Sequence, residues 1–298
     1  MSFDTQEVLR KVRASPIKFV PGRRVVSIYP GEWSSPFEGK GFEPLRFRDF
    51  EIGDDPRRIH APSTARRGIP TVGERVALRD FRILVVVDNS ASMKIRDKCE
   101  TQFGAAALLL YSAWQAETTF ELAVRDGDHS IVSYGAGIGS RHFYALFHNL
   151  RAVLFGTSER PRGKSLALSR ARPPNTMVFY CSDFLAPNGD PIDISALWKK
   201  LRRYDLVPVM IQDAFECSFP ALPANSFIPF ANPETGETEE IWLSAVETDR
   251  LRAANEKRFT ALREEFAGHG IRAVHLADAD MQGAGQRFNA FFRQRPRR

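Results

Sequence analysis

Cysteine is scarce in this chain. The three residues Cys99, Cys181 and Cys217 among 298 are too few and too scattered for a disulfide framework or a zinc knuckle. No apolar stretch approaches the ~20 residues that span a bilayer. The opening Met1-Ser-Phe-Asp-Thr-Gln-Glu-Val lacks the apolar core of a secretory leader. Together these absences predict a cytoplasmic protein without a membrane span. The six histidines lie far apart and form no H-E-x-x-H pair, and neither a G-x-S-x-G elbow nor a Walker loop occurs. Both absences argue against an enzyme. No internal repeat or low-complexity block is visible.

What is present is ordinary in amount and informative in pattern. A hydrophobic content of 43% and a charged content of 26% suit a globular chain, and 298 residues can bury a large core as one domain or two. The net charge of +6 permits contact with nucleic acid or an acidic partner. The basic residues are spread along the chain in pairs such as Arg23-Arg24 and Arg66-Arg67, with no aromatic-interleaved basic motif. Nucleic-acid binding is therefore the weakest of the readings.

Residues 1–80 are rich in Pro, Gly and Arg, with short β-type runs around 24–29 and 71–77 and a short helix over 5–13. From Phe81 onward strands and helices alternate, as in an α/β sheet. Strands are predicted at 82–88, 119–124, 130–133, 176–181, 206–211 and 271–276. Helices are predicted at 98–117, 141–154, 164–171, 193–203, 247–267 and 281–293. Asp126-Gly127 signals one hairpin, and Asn232-Pro-Glu-Thr-Gly-Glu237 signals another, inserted near 226–243.

The most telling run is Arg82-Ile-Leu-Val-Val-Val-Asp88-Asn-Ser90-Ala-Ser92. Five aliphatic residues in a row, four of them β-branched, suit a parallel strand covered on both faces. At the carboxyl end of such a strand, side chains point into the crevice where open α/β sheets bind ligands. A carboxylate and two hydroxyls there make an all-oxygen set suited to Mg²⁺ or Mn²⁺. A strand end capped by Asp88 and a helix capped by Ser90 is the plain structural alternative.

The spacing resembles D-x-S-x-S, the first half of the metal-ion-dependent adhesion site of von Willebrand factor A-like domains. Three further segments resemble domain-of-unknown-function family 58. Gly53-Asp54-Asp55-Pro-Arg57-Arg58-Ile59 is similar to its G-D-D-x-R-x-I signature, Ser182-Asp183-Phe-Leu185 to its S-D-F-L strand end, and 232–237 to its D-P-x-T-G-E hairpin. The resemblance implies a doubly wound, mostly parallel α/β sheet of von Willebrand factor A type over 81–298, with a β-rich N-terminal extension over 1–80. It also implies a soluble, non-enzymatic adaptor that works with a MoxR-type AAA+ ATPase on a client protein, a methanol dehydrogenase-like enzyme among the candidates.

The same resemblance implies that Asp88, Ser90, Ser92 and Asp183 form the site. The threonine that normally completes it is missing. Arg162-Gly163-Lys164-Ser165-Leu166 puts Lys164 at that place, and Ser165 substitutes only if the loop shifts by one residue. An ammonium ~4 Å from a cation opposes it by ~4 kcal/mol per unit charge at an effective dielectric near 20. Two outcomes stay open: a divalent cation with Ser165, or Lys164 neutralising Asp88 and Asp183 in its stead. Gly53, Asp54, Asp55, Arg57 and Arg58 are expected to fix the extension onto the main domain. The reading from another class is a divalent-metal-dependent hydrolase using Asp88 and Asp183.

Overall fold

The computed structural model describes residues 4–20, 45–51, 54, 56, 59–75, 81–126, 130–156, 164–165, 172–173, 175–186, 189–220, 226–231 and 238–295. In chain order the first elements are α1 (Thr5–Ala14), β1 (Leu45–Asp49), α2 (Ala61–Arg67), β2 (Thr71–Arg75), β3 (Arg82–Asp88), α3 (Lys98–Gln115), β4 (Thr119–Asp126) and β5 (Ser130–Gly137). Then come α4 (Gly139–Leu154), β6 (Lys164–Ser165), β7 (Thr176–Ser182), α5 (Ile194–Leu201), β8 (Asp205–Ile211) and α6 (Ala214–Cys217). The chain ends with β9 (Ser226–Ala231), β10 (Thr238–Leu243), α7 (Ala245–Gly268), β11 (Val274–Leu276) and α8 (Met281–Arg293).

Two compact units emerge, one of residues 1–24 with 81–298 and one of residues 25–80. The first is a three-layer α/β unit. Its seven-stranded sheet has the order β11-β8-β7-β3-β4-β5-β6. β11, β8, β7, β3 and β4 run parallel, and β5 turns back antiparallel to both β4 and β6. From β3 the chain moves to β4 on one side and later to β7 on the other. The order therefore reverses at β3/β7, where ligands bind in open α/β sheets.

Alternation along the strands divides the core. Ile83, Val85 and Val87 of β3 face a cluster with Val8 and Val12 of α1, the apolar length of α3, Phe143 and Phe147 of α4, and Phe288 of α8. Leu84 and Val86 face the opposite cluster with Ile194 and Leu201 of α5 and Leu262 and Phe266 of α7. β3 and β7 are buried on both faces, which explains their unbroken apolar runs. In α3, Gly104 admits α8 so closely that a Cβ would lie 3.1 Å from Met281 Cγ.

The extension expected over 1–80 divides accordingly: α1 belongs to the α/β unit, where its apolar face completes the core. The unit of residues 25–80 contains the antiparallel pair β1–β2 with Leu45 opposite Arg75 and Asp49 opposite Thr71. It also holds a helix that the sequence reading did not place. α2 starts at His60, whose ring accepts the Ser63 N–H, and stops at Gly68 in the left-handed region (φ 68°). The lone histidine of this segment is thus a helix cap.

Lys164 and Ser165 were expected to open a helix over 164–171. They are extended instead, filling the free edge of β5, and residues 166–171 lie outside those described. The strand expected at 24–29 also lies outside the described residues. The inserted hairpin is present as β9–β10, with Phe227 opposite Trp242.

Candidate functional site

The strand ends place the site. Asp88 closes β3 and is paired in register with Arg125 of β4. On the other side, Ser182 follows Cys181, the register partner of Val87. The three side chains form a polar row across the carboxyl end of the sheet. The Arg125 guanidinium donates to Asp88 Oδ2 at 2.9 Å, the Ser182 hydroxyl donates to the same oxygen at 2.7 Å, and the Ser90 N–H donates to Oδ1 at 3.0 Å. Burial works against the charge on Arg125, but Tyr180 and Asp88 outweigh it and hold the guanidinium above its ordinary pKa. Ser90 and Ser92 converge, with their hydroxyls 3.1 Å apart.

Asp183, fully buried, has a different cation. Its Oδ2 receives the Lys98 ammonium at 3.1 Å, and its Oδ1 accepts the Leu185 N–H at 3.2 Å. Lys98 is the first residue of α3 and is only 2% exposed. It also contacts Glu216 Oε1 at 2.5 Å. Glu216 sits on α6, in a capping box with Asp213, and Asp213 in turn holds Arg96 at 3.3 Å. Burial pushes the Glu216 carboxyl above the usual range although Lys98 pulls it down.

The surrounding backbone is shaped to serve these ends. Phe184, directly after Asp183, and Arg96, two residues before Lys98, both have left-handed backbones, at φ 58° and 51°. Such conformations in bulky residues persist only where neighbours enforce them. Gln102, one helical turn after Lys98, donates to Cys181 O at 3.0 Å, and Gln212 donates to Asp183 O at 2.5 Å. The Oε1 atoms of both glutamines are buried without a hydrogen-bond partner.

The resemblance to an adhesion site implies a divalent cation, and the residues do not fit one as arranged. Asp88 and Asp183 are each already in charge-assisted contact with a fixed cation. Either cation within ~4 Å of a metal would oppose it by ~4 kcal/mol per unit charge of the metal at an effective dielectric near 20. Among the described residues no three His, Cys, Asp or Glu side chains converge as a metal cage. The cations on the two carboxylates are Arg125 and Lys98; neutralisation by Lys164 was one of the two alternatives that the sequence left open. The backbones of Lys164 and Ser165 lie on β6, opposite Ser133 and Val132 and three strands from β3, roughly 14 Å by strand spacing.

Of the signature residues, Asp54 forms a local turn whose Oδ2 accepts the Glu51 N–H at 2.9 Å. Gly53, Asp55, Arg57 and Arg58 lie outside the described residues. Cys217 lies 3.3 Å from His275 Nε2, but burial pushes its pKa up to about 12, and burial raises Cys99 to about 11.

Ring contacts connect this end of the sheet to the inserted hairpin. The Arg96 guanidinium stacks over Phe215 of α6 at 3.4 Å, Phe215 meets Phe219 edge-on at 5.6 Å, and Phe219 lies parallel to Phe230 of β9 at 6.5 Å.

Comparison with known sequences places this arrangement among proteins without an assigned role. Residues 46–265 match the family model described as protein of unknown function DUF58. The uncharacterized proteins Mb1516 of Mycobacterium bovis and Rv1480 of Mycobacterium tuberculosis are each 23% identical over 247 residues. Each alignment covers 80% of this chain and 70% of the relative.

Proposed function

We propose, for a chain that belongs to the DUF58 family of proteins of unknown function, the role of a non-enzymatic protein-binding adaptor. In this reading it works with a MoxR-type AAA+ ATPase in maturing or assembling a client enzyme, and it recognises an acidic partner group at the carboxyl end of a von Willebrand factor A-like sheet. The observation that carries this reading is the exposed apolar ribbon beside that end. Phe227 and Trp242 face one another across β9–β10 at 69% and 49% exposure, with Ile241 exposed on the hairpin's other face. Exposed large side chains gathered in one place mark protein contact surfaces, and buried aromatic anchors dominate their energetics. The ring contacts from Phe230 to Arg96 tie the hairpin to the crevice, and Phe227 and Trp242 stand on the hairpin's opposite face.

The carboxylates themselves support binding over turnover. An attacking or metal-holding carboxylate must present a free oxygen, and each of these is committed to a fixed cation. The experiment is sedimentation velocity of the full chain with a MoxR-type ATPase from the same organism, with and without ATP. Association is expected in at least one nucleotide state, weakened at least tenfold by Phe227→Ser with Trp242→Ser. No association in any state would overturn the adaptor reading. Metal-dependent turnover of p-nitrophenyl phosphate that is lost in Asp88→Asn would favour the hydrolase.

A further inference from the structure

Lys98 is placed against the usual preferences of a lysine. It is almost fully buried, and it stands at the first position of α3, where the helix dipole favours an anion. Two carboxylates compensate it, and they are not equivalent. Asp183 belongs to the strand end and is fully buried. Glu216 comes from the short helix α6, its side chain is 22% exposed, and its Oε1 touches the ammonium at 2.5 Å. Of the three charged groups, only Glu216 is reachable from solvent without moving the sheet. α6 is held by side chains of neighbouring elements, Asn255 among them, which donates to the Phe215 carbonyl at 2.7 Å. Arg96 holds Asp213, and Arg258 donates to the Glu216 carbonyl at 3.0 Å.

We infer that the Lys98 ammonium is the resident cation of this site, and that Glu216 occupies the position taken by a carboxylate of the partner. This rests on the adaptor reading and gives it a chemistry: ligand binding exchanges one carboxylate for another on a buried ammonium, without a metal. The exchange is an ion-pair substitution in which no covalent bond forms or breaks. Asp183 keeps Lys98 charged and fixed throughout. Arg125 holds Asp88 in the same way, so the row at the sheet end stays rigid while α6 yields. An incoming carboxylate has two sources, an acidic side chain or a chain terminus, and both present the same pair of oxygens.

Two probes test this on the full chain. The first is Mn²⁺ alone, followed by calorimetry. The wild type is expected to bind no ion below millimolar concentration. Lys98→Met removes the charge at similar length and leaves Asp183 and Glu216 facing the vacated position, so sub-millimolar Mn²⁺ binding is expected to appear. Sub-millimolar binding in the wild type that Asp183→Asn abolishes would overturn the inference. The second probe is a pair of short peptides, one with a central glutamate and blocked ends, the other neutral with a free carboxyl terminus. Glu216→Gln, nearly isosteric, is expected to tighten binding of one or both at least tenfold, and Lys98→Met to abolish it. Preference between the peptides assigns the source. Equal affinity of wild type and Glu216→Gln for both peptides, with native thermal melting, would overturn the inference. Because neither probe involves the ATPase, that failure leaves the adaptor reading standing, and failed ATPase association leaves this result standing.

Discussion

Two buried ion-paired groups, one at the amino end of the sheet and one at its carboxyl end, behave differently. Near the amino end, Arg172 binds Glu121 in a fork, with Nε to Oε2 at 2.9 Å and Nη2 to Oε1 at 2.5 Å, and the Ser133 hydroxyl donates to Oε1 at 2.5 Å. One cation meets one carboxylate, and both carboxylate oxygens are filled. At the carboxyl end, Asp183 and Glu216 share the single ammonium of Lys98, and strained residues flank it; buried unpartnered polar atoms occur in both groups, Arg172 Nη1 at one end and two glutamine oxygens at the other. Buried charge alone therefore does not mark a functional site. The mark is an uneven count of charges, held by loops and a short helix, at the end of the sheet where the strand order reverses.

The largest expected effect separates the two groups by stability. Arg172→Met leaves the Glu121 carboxylate buried with a single hydroxyl donor, and a loss of about 3–5 kcal/mol is expected in urea unfolding. Adding Glu121→Leu removes the stranded charge and should recover most of that loss, because replacing a whole buried pair is often neutral. If the double variant is as unstable as the single one, the amino-end group is more than a closed structural pair. At the carboxyl end, Asp183→Asn should cost less, about 1–3 kcal/mol, since Lys98 keeps Glu216 and the amide can still accept the Leu185 N–H. A cost above that of Arg172→Met would reverse the comparison.

Much of this contrast was legible in the sequence at the level of elements, and less at the level of pairs. The strand over 82–88 was readable because burial on both faces leaves an unbroken aliphatic run. The helix over 247–267 was readable because glycines follow it, Gly268 as the last helical residue and Gly270 in the left-handed region. β6 was missed because two residues carry no period, and what makes them a strand is the open edge of β5. α2 and α6 were missed because both are short, and one is capped by a histidine. Arg125 was within reach: it directly follows the strand predicted at 119–124, and the parallel register of β3 and β4 sets it beside Asp88. Lys98 left a fainter signal, a lysine in the first turn of an apolar helix, where an acidic residue is the rule. Glu216 left none, since the fold alone brings α6 to Lys98.

The smallest expected effect is a slope with pH, and it tests whether Glu216 is held less comfortably than Glu121. Burial raises the Glu216 carboxyl above its ordinary value of 4.5, with Asp183 and Asp213 adding to the rise and Lys98 opposing it. Between that value and the raised one, the folded chain binds more of this proton than the unfolded chain does. Stability from this group therefore falls as pH rises from 4.5 through the folded pKa. One proton limits the slope to less than ~1.4 kcal/mol per pH unit. In Glu216→Gln the contribution disappears, so the variant should gain on the wild type as pH rises through this window. Urea midpoints at three pH values across the window would measure the difference. Parallel lines for the two proteins would mean that Glu216 is as well satisfied by Lys98 as Glu121 is by Arg172, and the contrast between the two ends would then rest on charge count alone.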